Sequence, residues 1–480
     1  MSDRNVGTDV TTGSLGAGYA RRGRKPAPPA TLAPMGILDL PVPSTPRLSG
    51  TYALRGAVDV RDFGMVADGA TNSSTAFQAA INAAAALVSA QGTPGFAHLY
   101  VPPGYYRVFG ITIPGNVHIR CDGTRFTPPN GSSGYMFDFT GGFSTLEGAT
   151  LAGGTIAGCT AIHTSVGARW NFIDQCRFDN WDGRAIYDQG LATWMTRLLA
   201  TNCLLSADTL TTYTGVVEMA GTDSFLSQSE LTASRYPARG MSASGKACAL
   251  AITGANHMVE NVVAETSDHG VYLGAGATQL NLEGVRGELC YGHGWIIDGG
   301  SGRISNPMAL RNSKSANLAG NGFNVTGSNG PRYIIVNAWS ESDAAPTRQN
   351  WGVFDGTTSR STFNRWINPI DVGSNGAFFA TNSTSTSWSF PDNPPAPMAT
   401  NSTTPDVRGT LNFTISNSSA VTVTNFNGGV NGQRLLILGD GNTSVANNAT
   451  IVTTSGATTL LAASTWYRFI RHEGVWRQLP

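Results

Sequence analysis

Apolar and polar residues alternate over short segments between about residues 100 and 370. A β-strand has this period of two, because successive side chains point to opposite faces of a sheet. In seven segments a small residue leads into the alternating positions: Gly183–Tyr187, Gly215–Met219, Ala249–Ile252, His269–Leu273, His293–Ile297, Asn321–Val325 and Gly352–Asp355. Gly270, Gly294, Gly322 and Gly352 are 24, 28 and 30 residues apart, close to the length of one coil of a parallel β-helix. The pattern predicts short strands stacked in successive coils rather than helical repeats.

A second recurring segment precedes the first and ends in a carboxylate. Its instances are Ile173–Asp179, Phe225–Glu230, Val259–Glu265, Leu282–Glu288 and Val336–Glu341. Stacked parallel strands place equivalent residues about 4.8 Å apart on adjacent coils. We therefore expect the final carboxylates of these segments to occupy similar positions on successive or nearby coils.

A helical pattern comes before the strands. The apolar residues at helical spacing are Phe77, Ala80, Ile81, Ala84, Leu87 and Val88. They predict an amphipathic helix from Ser74 to about Gln91, with candidate N-cap oxygens in the cluster 72–75. A helix laid across the end of a solenoid covers its open core and its unpaired strand edges. The strand Leu99–Val101 then begins the solenoid.

The stretch from Val60 to Tyr106 carries a family resemblance. Its segments Val60–Gly64, Asp68–Gly69 and Leu99–Tyr106, with the helix between them, resemble the N-terminal part of the pectate-lyase-like superfamily. The resemblance implies an all-β fold, a right-handed parallel β-helix. We expect this solenoid to be capped by the N-terminal α-helix and followed by a small C-terminal β domain.

Residues 406–480 predict that separate β domain. Its strand-like segments are Thr410–Ile415, Val421–Val423, Arg434–Leu438 and Trp466–Ile470. It resembles the C-terminal β modules of phage tail spikes and related polysaccharide-acting proteins. The matching segments are Asn425–Val430, Gly432–Leu435, Leu438–Thr443 and Val475–Gln478.

Composition divides the chain into four predicted parts. Residues 1–57 are rich in Gly, Pro, Ser and Thr, and cannot form a core of their own; they are either a disordered tail or a virion-attachment peptide that orders on a partner. Residues 58–375 form the β-helix and 376–405 a Ser/Thr/Asn/Pro-rich linker. Residues 406–480 form a β-sandwich-like module.

Charge and cysteine content narrow the possible functions. Charged residues make up 13% of the chain and the formal net charge is zero, which gives no support for binding nucleic acid or an anionic membrane. No apolar run is long enough for a transmembrane helix, so we expect no membrane insertion. Neither a CxxC motif nor metal-ligand spacing occurs, so we expect no cofactor or metal and six buried thiols. The polar N-terminus lacks an apolar signal core, which predicts synthesis in the host cytoplasm and release by another route, such as lysis.

The resemblance to tail spikes implies a function. Such proteins are usually homotrimers that bind, and often cut, a capsule, exopolysaccharide or O-antigen. We expect a spike in the virion tail that acts at the bacterial surface and hydrolyses a surface polysaccharide. Residues 1–50 would dock on a tail, baseplate or adaptor protein. The alternatives are a polysaccharide lyase on the same fold, a receptor-binding spike without activity, and a rigid structural spacer.

Hydrolysis of a glycosidic bond needs two carboxyl groups, about 5–5.5 Å apart in retaining enzymes and about 6.5–9.5 Å apart in inverting enzymes. Adjacent coils meet the first distance, and offset or two-coil pairs meet the second. The acid needs a raised pKa, which repulsion by a neighbouring carboxylate supplies. The catalytic candidates are Glu265, Asp268 and Glu288, followed by Glu341 and Asp343. For each of them the alternative is a carboxylate that caps a turn or faces solvent.

Sugar rings stack on exposed aromatic side chains. The candidate substrate-binding residues are Tyr272, Tyr291, Trp339, Arg348 and Trp351. Trp295 aligns with Val271 and Phe323, which predicts that it lies in the core.

A lyase would need a basic residue or a tyrosine as base and cations that neutralise a uronate. The candidate cations are Arg286, Arg303, Arg311 and Arg348. The segment Gly292–Gly294 is similar to a short polygalacturonase motif, but the companion Asn-Thr-Asp and Asp-Asp motifs are missing. His269 and His293 each precede a glycine, and turn geometry accounts for both.

Overall fold

The computed structural model describes residues 57–91, 95–154, 158–204, 210–233, 244–314, 320–326, 331–342, 349–350, 352–355, 364–367, 370–372, 379–381, 387–389, 396–407, 412–429 and 433–479. These ranges contain many short strands, an α-helix (Ser74–Gln91) and a short 3-10 helix (Val60–Phe63). The predicted attachment peptide, apart from Ala57, and 14 of the 30 residues of the predicted linker lie outside them. No helix in these ranges is long and apolar enough to cross a membrane.

Most strands stack in parallel on three faces of one solenoid. Face 1 comprises Ala57–Asp59, Ala97–Val101, Val117–Cys121, Thr145–Glu147, Phe172–Asp174, Trp194–Thr196, the first halves of Phe225–Thr232 and Met258–Glu265, Leu280–Glu283, Ser301–Ser305, Arg332–Val336, Arg365–Ile367 and Ser387–Ser389. Face 2 comprises Asp68–Asn72, Gly104–Arg107, Thr124–Thr127, Thr150–Ala152, Arg177–Asp179, Leu199–Thr201, the second halves of the two long strands, Arg286–Glu288, Met308–Leu310, Trp339–Glu341 and Ile370–Val372. Face 3 comprises Ile111–Ile113, Tyr135–Phe139, Thr160–Thr164, Ile186–Asp188, Thr214–Met219, Ala247–Ile252, His269–Leu273, Trp295–Ile297, Phe323–Val325, Val353–Asp355 and Phe379–Thr381. The chain visits faces 1, 2 and 3 in turn, so the predicted parallel β-helix is confirmed.

The two recurring sequence segments occupy different places in this solenoid. All seven segments of the first kind contain a strand of face 3, and those of the second kind cross the corner from face 1 to face 2. Inward side chains of face 3 stack in register, with Val271 opposite Trp295 and Trp295 opposite Phe323. All three are buried in one continuous core. The predicted core position of Trp295 is confirmed.

The N-terminal helix covers the first coils, as predicted. Phe77 is fully buried, and its ring lies 5.6 Å from that of Phe126 and 6.1 Å from that of Phe137, measured between centroids. Gln78 pairs with the first strand of face 3: its Oε1 accepts the Thr112 N–H at 2.7 Å and its Nε2 donates to the Thr112 carbonyl at 2.9 Å. This side-chain amide bonds the Thr112 N–H and carbonyl, which lie at the end of the sheet in the described part of the chain and have no neighbouring strand on that side.

One residue of the predicted apolar helix face lies elsewhere. Leu87 is 41% exposed, whereas Ala80, Ile81 and Ala84 are buried. Leu87 is in the last third of the helix, where Val88 is the residue that packs against the core.

The last part of the chain has its own hydrophobic core, with Phe426, Phe469 and Trp476 at its centre. A six-stranded sheet contains Ala396–Pro397, Asn412–Thr414, Arg434–Leu438, Trp466–His472, Val475–Leu479 and Ile451–Val452. A three-stranded sheet contains Val421–Val423, Thr443–Val445 and Thr459–Leu460. The four predicted strands here are present, and the described part of the first is Asn412–Thr414. The predicted domain boundaries stay predictions.

We expect Phe77→Ala to lower the free energy of unfolding by about 3–5 kcal/mol, because it leaves a cavity between three packed rings. Leu87→Ala, in the same helix, is the control and should cost less than about 1 kcal/mol. Urea titration of both variants measures the difference. Equal losses would show that the helix does not seal the core through Phe77.

Candidate active site at the corner between faces 2 and 3

Four of the predicted carboxylates share one outward column of face 2. Glu265 is in register with Glu288 on the next coil. Leu310 follows in the column and separates Glu288 from Glu341. Asp179 belongs to the same column three coils before Glu265. Within this column, the described pair of carboxylates on adjacent coils is therefore Glu265 and Glu288.

The predicted alignment of Glu230 with this column is wrong. Glu230 is in register with Leu199 and Val263, and Thr232 is the residue opposite Glu265. A shift of two residues leaves a side chain on the same face of a sheet. The polar and apolar pattern therefore could not reveal the shift.

Three carboxylates of the column face an arginine. In two cases the arginine comes two residues earlier in the same strand and so points to the same side. The contacts are Arg177 Nε to Asp179 Oδ1 at 2.9 Å, Arg286 Nε to Glu288 Oε2 at 2.8 Å and Arg311 Nε to Glu341 Oε1 at 3.7 Å. The facing Arg286 and Glu288 atoms are buried and make no hydrogen bond within the described residues, so their contact is an ion pair without hydrogen-bond alignment. The residue two positions before Glu265 is Val263, and Glu265 Oε1 accepts a hydrogen bond from the Thr232 hydroxyl at 3.2 Å.

Asp268 lies at the corner that follows Glu265 and is 3% exposed. Its Oδ2 accepts the Ala247 N–H at 3.0 Å. A Cβ on Gly245 would lie 1.9 Å from that oxygen, so the carboxylate packs directly against this glycine. Burial raises the pKa of the adjacent Cys290 thiol to about 12, and Glu265 and Asp268 contribute in the same direction. Asp268 is thus held inside the corner, and its contact with substrate stays a prediction.

Two histidines begin the face 3 strands at this corner. The rings of His269 and His293 stack with centroids 5.2 Å apart. His269 Nδ1 accepts the His293 N–H at 3.0 Å, so its Nε2 carries the proton and donates to the Gly245 carbonyl at 3.0 Å. His293 Nδ1 accepts the Asn321 N–H at 2.9 Å. Each imidazole accepts a hydrogen bond from a backbone N–H of the next coil, in agreement with the turn role expected from the sequence.

A lysine and two tyrosines lie beside these histidines on face 3. Lys246 Nζ is 4.0 Å from the centroid of the Tyr213 ring, and Tyr213 stacks on Tyr272 at 4.4 Å. The Tyr272 hydroxyl donates to Asp298 Oδ2 at 3.3 Å, and burial and Asp298 together raise the pKa of Tyr272. Sequence reasoning found Tyr272 but missed Tyr213 and Lys246. Tyr213 and Lys246 each precede a strand, and the two strands are in register at Thr214 and Ala247. The register of these strands would have predicted that the two side chains lie together.

The remaining predicted residues are spread along the solenoid. Tyr291 is half-buried at the same corner, where its N–H donates to the Ser267 carbonyl at 2.9 Å. Trp339 is exposed on face 2, in register with Met308. Asp343, Arg348 and Trp351 lie outside the described residues. The described residues contain no group of His, Cys, Asp or Glu side chains that could hold a metal ion, and all six cysteines are free and buried.

Comparisons with known proteins agree with the parallel β-helix fold. A family model described as Rhamnogalacturonase A/epimerase, pectate lyase-like, matches residues 57–177. The chain has the pectate-lyase-like parallel β-helix fold. The family match includes the whole stretch from Val60 to Tyr106 that carried the resemblance. No curated protein sequence is significantly similar to the chain.

Three solved structures show how widely this fold is used. The A-module of a mannuronan C-5 epimerase from Azotobacter vinelandii has a TM-score of 0.51 at 13% identity, over 69% of this chain and 99% of that module. A double mutant of the tailspike protein of E. coli bacteriophage HK620, in complex with pentasaccharide, has a TM-score of 0.53 at 13% identity, over 84% and 76%. The enzymatically active domain of tailspike protein 2 of bacteriophage CBA120 has a TM-score of 0.55 at 13% identity, over 69% and 51%. At this identity the likeness concerns the fold.

We expect the stability of the protein to fall between pH 7 and pH 5. Burial lowers the pKa of His269 to about 3 and that of His293 to about 4, whereas unfolded histidine titrates near about 6.5. Below that value the unfolded chain binds protons that the folded chain does not, so each histidine costs about 2 kcal/mol at pH 5. In His293→Gln the loss between the two pH values should be smaller by about 2 kcal/mol. Urea titrations at both pH values test this, and an unchanged loss would contradict it.

Proposed function

We propose that the protein is a phage tail spike that binds a bacterial surface polysaccharide and hydrolyses it at the corner formed by Glu265 and Glu288. The observation that carries the proposal is the register of these two carboxylates on adjacent coils. Stacked coils repeat at about 4.8 Å, which fits the separation of about 5–5.5 Å used by retaining glycosidases. The fold shared with two phage tailspikes supports the biological setting, a virion tail protein that acts at the bacterial surface.

The surroundings of the two carboxylates favour different roles. Arg286, 2.8 Å from Glu288, stabilises a negative charge on that side chain and suits it to be the nucleophile. Glu265 lies one coil before Glu288 and accepts the Thr232 hydroxyl on one oxygen, and we assign it as the general acid. Glu265 gives a proton to the leaving oxygen while Glu288 forms a bond to the anomeric carbon and the glycosidic bond breaks. Glu265 then takes a proton from water, which attacks the same carbon and releases Glu288.

Aromatic side chains around the corner would hold the sugar units. Tyr291 lies at the corner, and the stacked pair Tyr213 and Tyr272 lies on face 3 beside it. Trp339 lies two coils beyond Glu288 on face 2. We propose these as substrate contacts, together with Arg348 and Trp351. The roles of Asp268, Glu341 and Asp343 are secondary proposals on the same surface.

A lyase is the second candidate function, and one observation favours it. Lys246 lies against the Tyr213 ring, next to Tyr272 and Asp298. A basic group beside tyrosines is what proton abstraction from a uronate requires. The two reactions give different products, since a lyase leaves an unsaturated uronate and a hydrolase does not.

We expect Glu265→Gln and Glu288→Gln each to lower the rate of polysaccharide cleavage by about 10²–10⁴-fold, because each removes a group that acts on the reacting bond. Glu230→Gln is the control, since it is an exposed carboxylate on the same face that is out of register with the pair. The assay follows reducing ends and the absorbance of unsaturated uronate in parallel. Wild-type rates in both variants would exclude this pair, and uronate absorbance would replace hydrolysis by the lyase reaction.

The attachment of the spike is a further part of the proposal. We expect a truncated chain that starts at Leu54 to form trimers and bind glycan but to be absent from virions. Size-exclusion chromatography with light scattering and immunoblots of purified virions measure the two properties. Incorporation of the truncated chain at the wild-type level would contradict a docking role for residues 1–50.

A further inference from the structure

A concave groove lies on face 1, apart from the Glu265–Glu288 corner. It encloses about 330 Å³ and is built from outward side chains of successive coils. Phe172 and Trp194 form its apolar wall, and Glu147 and Asp174 form its polar wall. Phe172 lies three coils before Glu265 along the solenoid.

The apolar wall belongs to a row of aromatic rings. Phe172, Trp194 and Phe225 are in register on three successive coils. Their ring centroids are 6.0 Å and 5.2 Å apart. Phe172 is 38% exposed and Trp194 is 40% exposed, although outward positions on a solvated sheet are ordinarily polar. A row of exposed rings on a rigid sheet is a stacking surface for flat, apolar faces of a ligand.

Backbone strain at the edge of the groove is an independent observation. Phe143 and Trp170 occupy the corner between faces 3 and 1 with φ of 61° and 60°. At the same corner other coils carry Asn116, Ala192, Asp223, Asn256 and Gln279, of which the asparagines and the aspartate tolerate positive φ because of their short polar side chains. Bulky aromatic residues are outliers in this conformation and cluster at functional sites.

The strained pair also forms an exposed stack. The rings of Phe143 and Trp170 lie 6.4 Å apart at 16°, and both side chains are exposed. Trp170 precedes Phe172 by two residues, so the stack borders the apolar wall of the groove. The fold does not need aromatic residues at this corner, because neighbouring coils make the same turn without them.

The polar wall carries two carboxylates, each in contact with a nitrogen-bearing side chain. Glu147 Oε2 lies 3.2 Å from His118 Nε2. Asp174 Oδ1 accepts the Arg197 Nε–H at 2.9 Å and also a hydrogen bond from the Thr196 hydroxyl. The carboxylate oxygens accept hydrogen bonds from hydroxyl groups, and two carboxylates on one wall repel a polyanion. Such a wall suits the hydroxyl groups of an uncharged sugar better than a polyanion.

We propose that this groove is a second glycan-binding site that holds uncharged sugar units of the polymer without cutting them. Sugar rings stack on Phe172 and Trp194, and their hydroxyl groups bond to Glu147 and Asp174. The identity of the ligand as a surface polysaccharide rests on the proposed function, but the groove would bind it even where Glu265 and Glu288 do not cleave it. A polymer long enough to reach both sites is retained more tightly than a short one, because its second binding event is intramolecular.

The test uses the full chain with Phe172 and Trp194 both changed to Ala. A panel of bacterial capsule and O-antigen fragments identifies the uncharged oligosaccharide that binds best, and calorimetry measures its affinity and that of the parent polymer. We expect affinity for the polymer to fall about tenfold or more, while the rate at which short fragments are cleaved stays at the wild-type value. Met258→Ala is the control, since Met258 is exposed in the same column, next to Phe225, but has no ring. Circular dichroism and thermal unfolding verify that each variant is folded.

Each outcome decides the proposal. Wild-type affinity for every fragment and for the polymer in the double variant would overturn it. Loss of the oligomer with unchanged glycan affinity would show instead that the aromatic row is a contact between copies of the chain. Loss of short-fragment cleavage in Asp174→Asn with binding retained would make the groove the cutting site, and the inference that it binds without cutting would be wrong. Full activity of Glu265→Gln and Glu288→Gln, with loss of polymer binding in the double variant, would leave the groove standing and remove only the proposed catalytic pair.

Discussion

Stacking in register depends on one residue in each coil, which adopts a positive φ at the corner between faces 1 and 2. This residue makes the same turn in coil after coil, with φ of 49° to 54° at Gln175, Arg197, Gln228, Asn261, Asn306 and Asn337. The conformation is costly for most side chains, and asparagine lowers that cost and adds a lateral bond, as where the Asn337 amide donates to Asn306 Oδ1 at 3.0 Å. A coil that lost this turn would slip against both neighbours. Every outward column, including those of the two sites, would then lose its alignment.

The sequence was sufficient for the fold, because each signal of the fold is local. A period of two residues predicted the strands of face 3, and helical spacing with a polar N-cap cluster predicted the cap over residues 74–91. Register was harder, since a two-residue slip keeps a side chain on its face, and Glu230 was misplaced for this reason. The aromatic row of face 1 was not predicted. Phe172, Trp194, Phe225 and Met258 are in register although 22, 31 and 33 residues separate them along the chain, so their alignment appears only in three dimensions.

A column of carboxylates on a parallel β-helix is not in itself a sign of catalysis. Like charges at about 4.8 Å repel, and this chain balances them with an arginine two residues earlier in the strand, as in Arg177 with Asp179 and Arg286 with Glu288. The spacing Arg-x-Asp or Arg-x-Glu is visible in the sequence and places both side chains on the same side of the strand. Two carboxylates of the column lack this spacing, since Val263 precedes Glu265 and Trp339 precedes Glu341 by two residues. The proposed catalytic pair therefore rests on the register of Glu265 with Glu288, and not on this spacing.

The same rigidity fixes the relation between the two proposed glycan sites. Three coils separate Phe172 from Glu265, which is about 14 Å along the solenoid axis, and the hydrogen-bonded strands between them leave little freedom to vary that distance. A polysaccharide bound in the groove therefore meets the corner between faces 2 and 3 at a constant axial distance from Phe172. The number of coils sets that distance, and the conformation of the loops does not. The loops vary in length, as the uneven spacing of the aromatic row shows, but the strands that carry the sites stay in register from coil to coil. Evolution can thus alter the loops around each proposed site while the axial distance between the two sites is preserved.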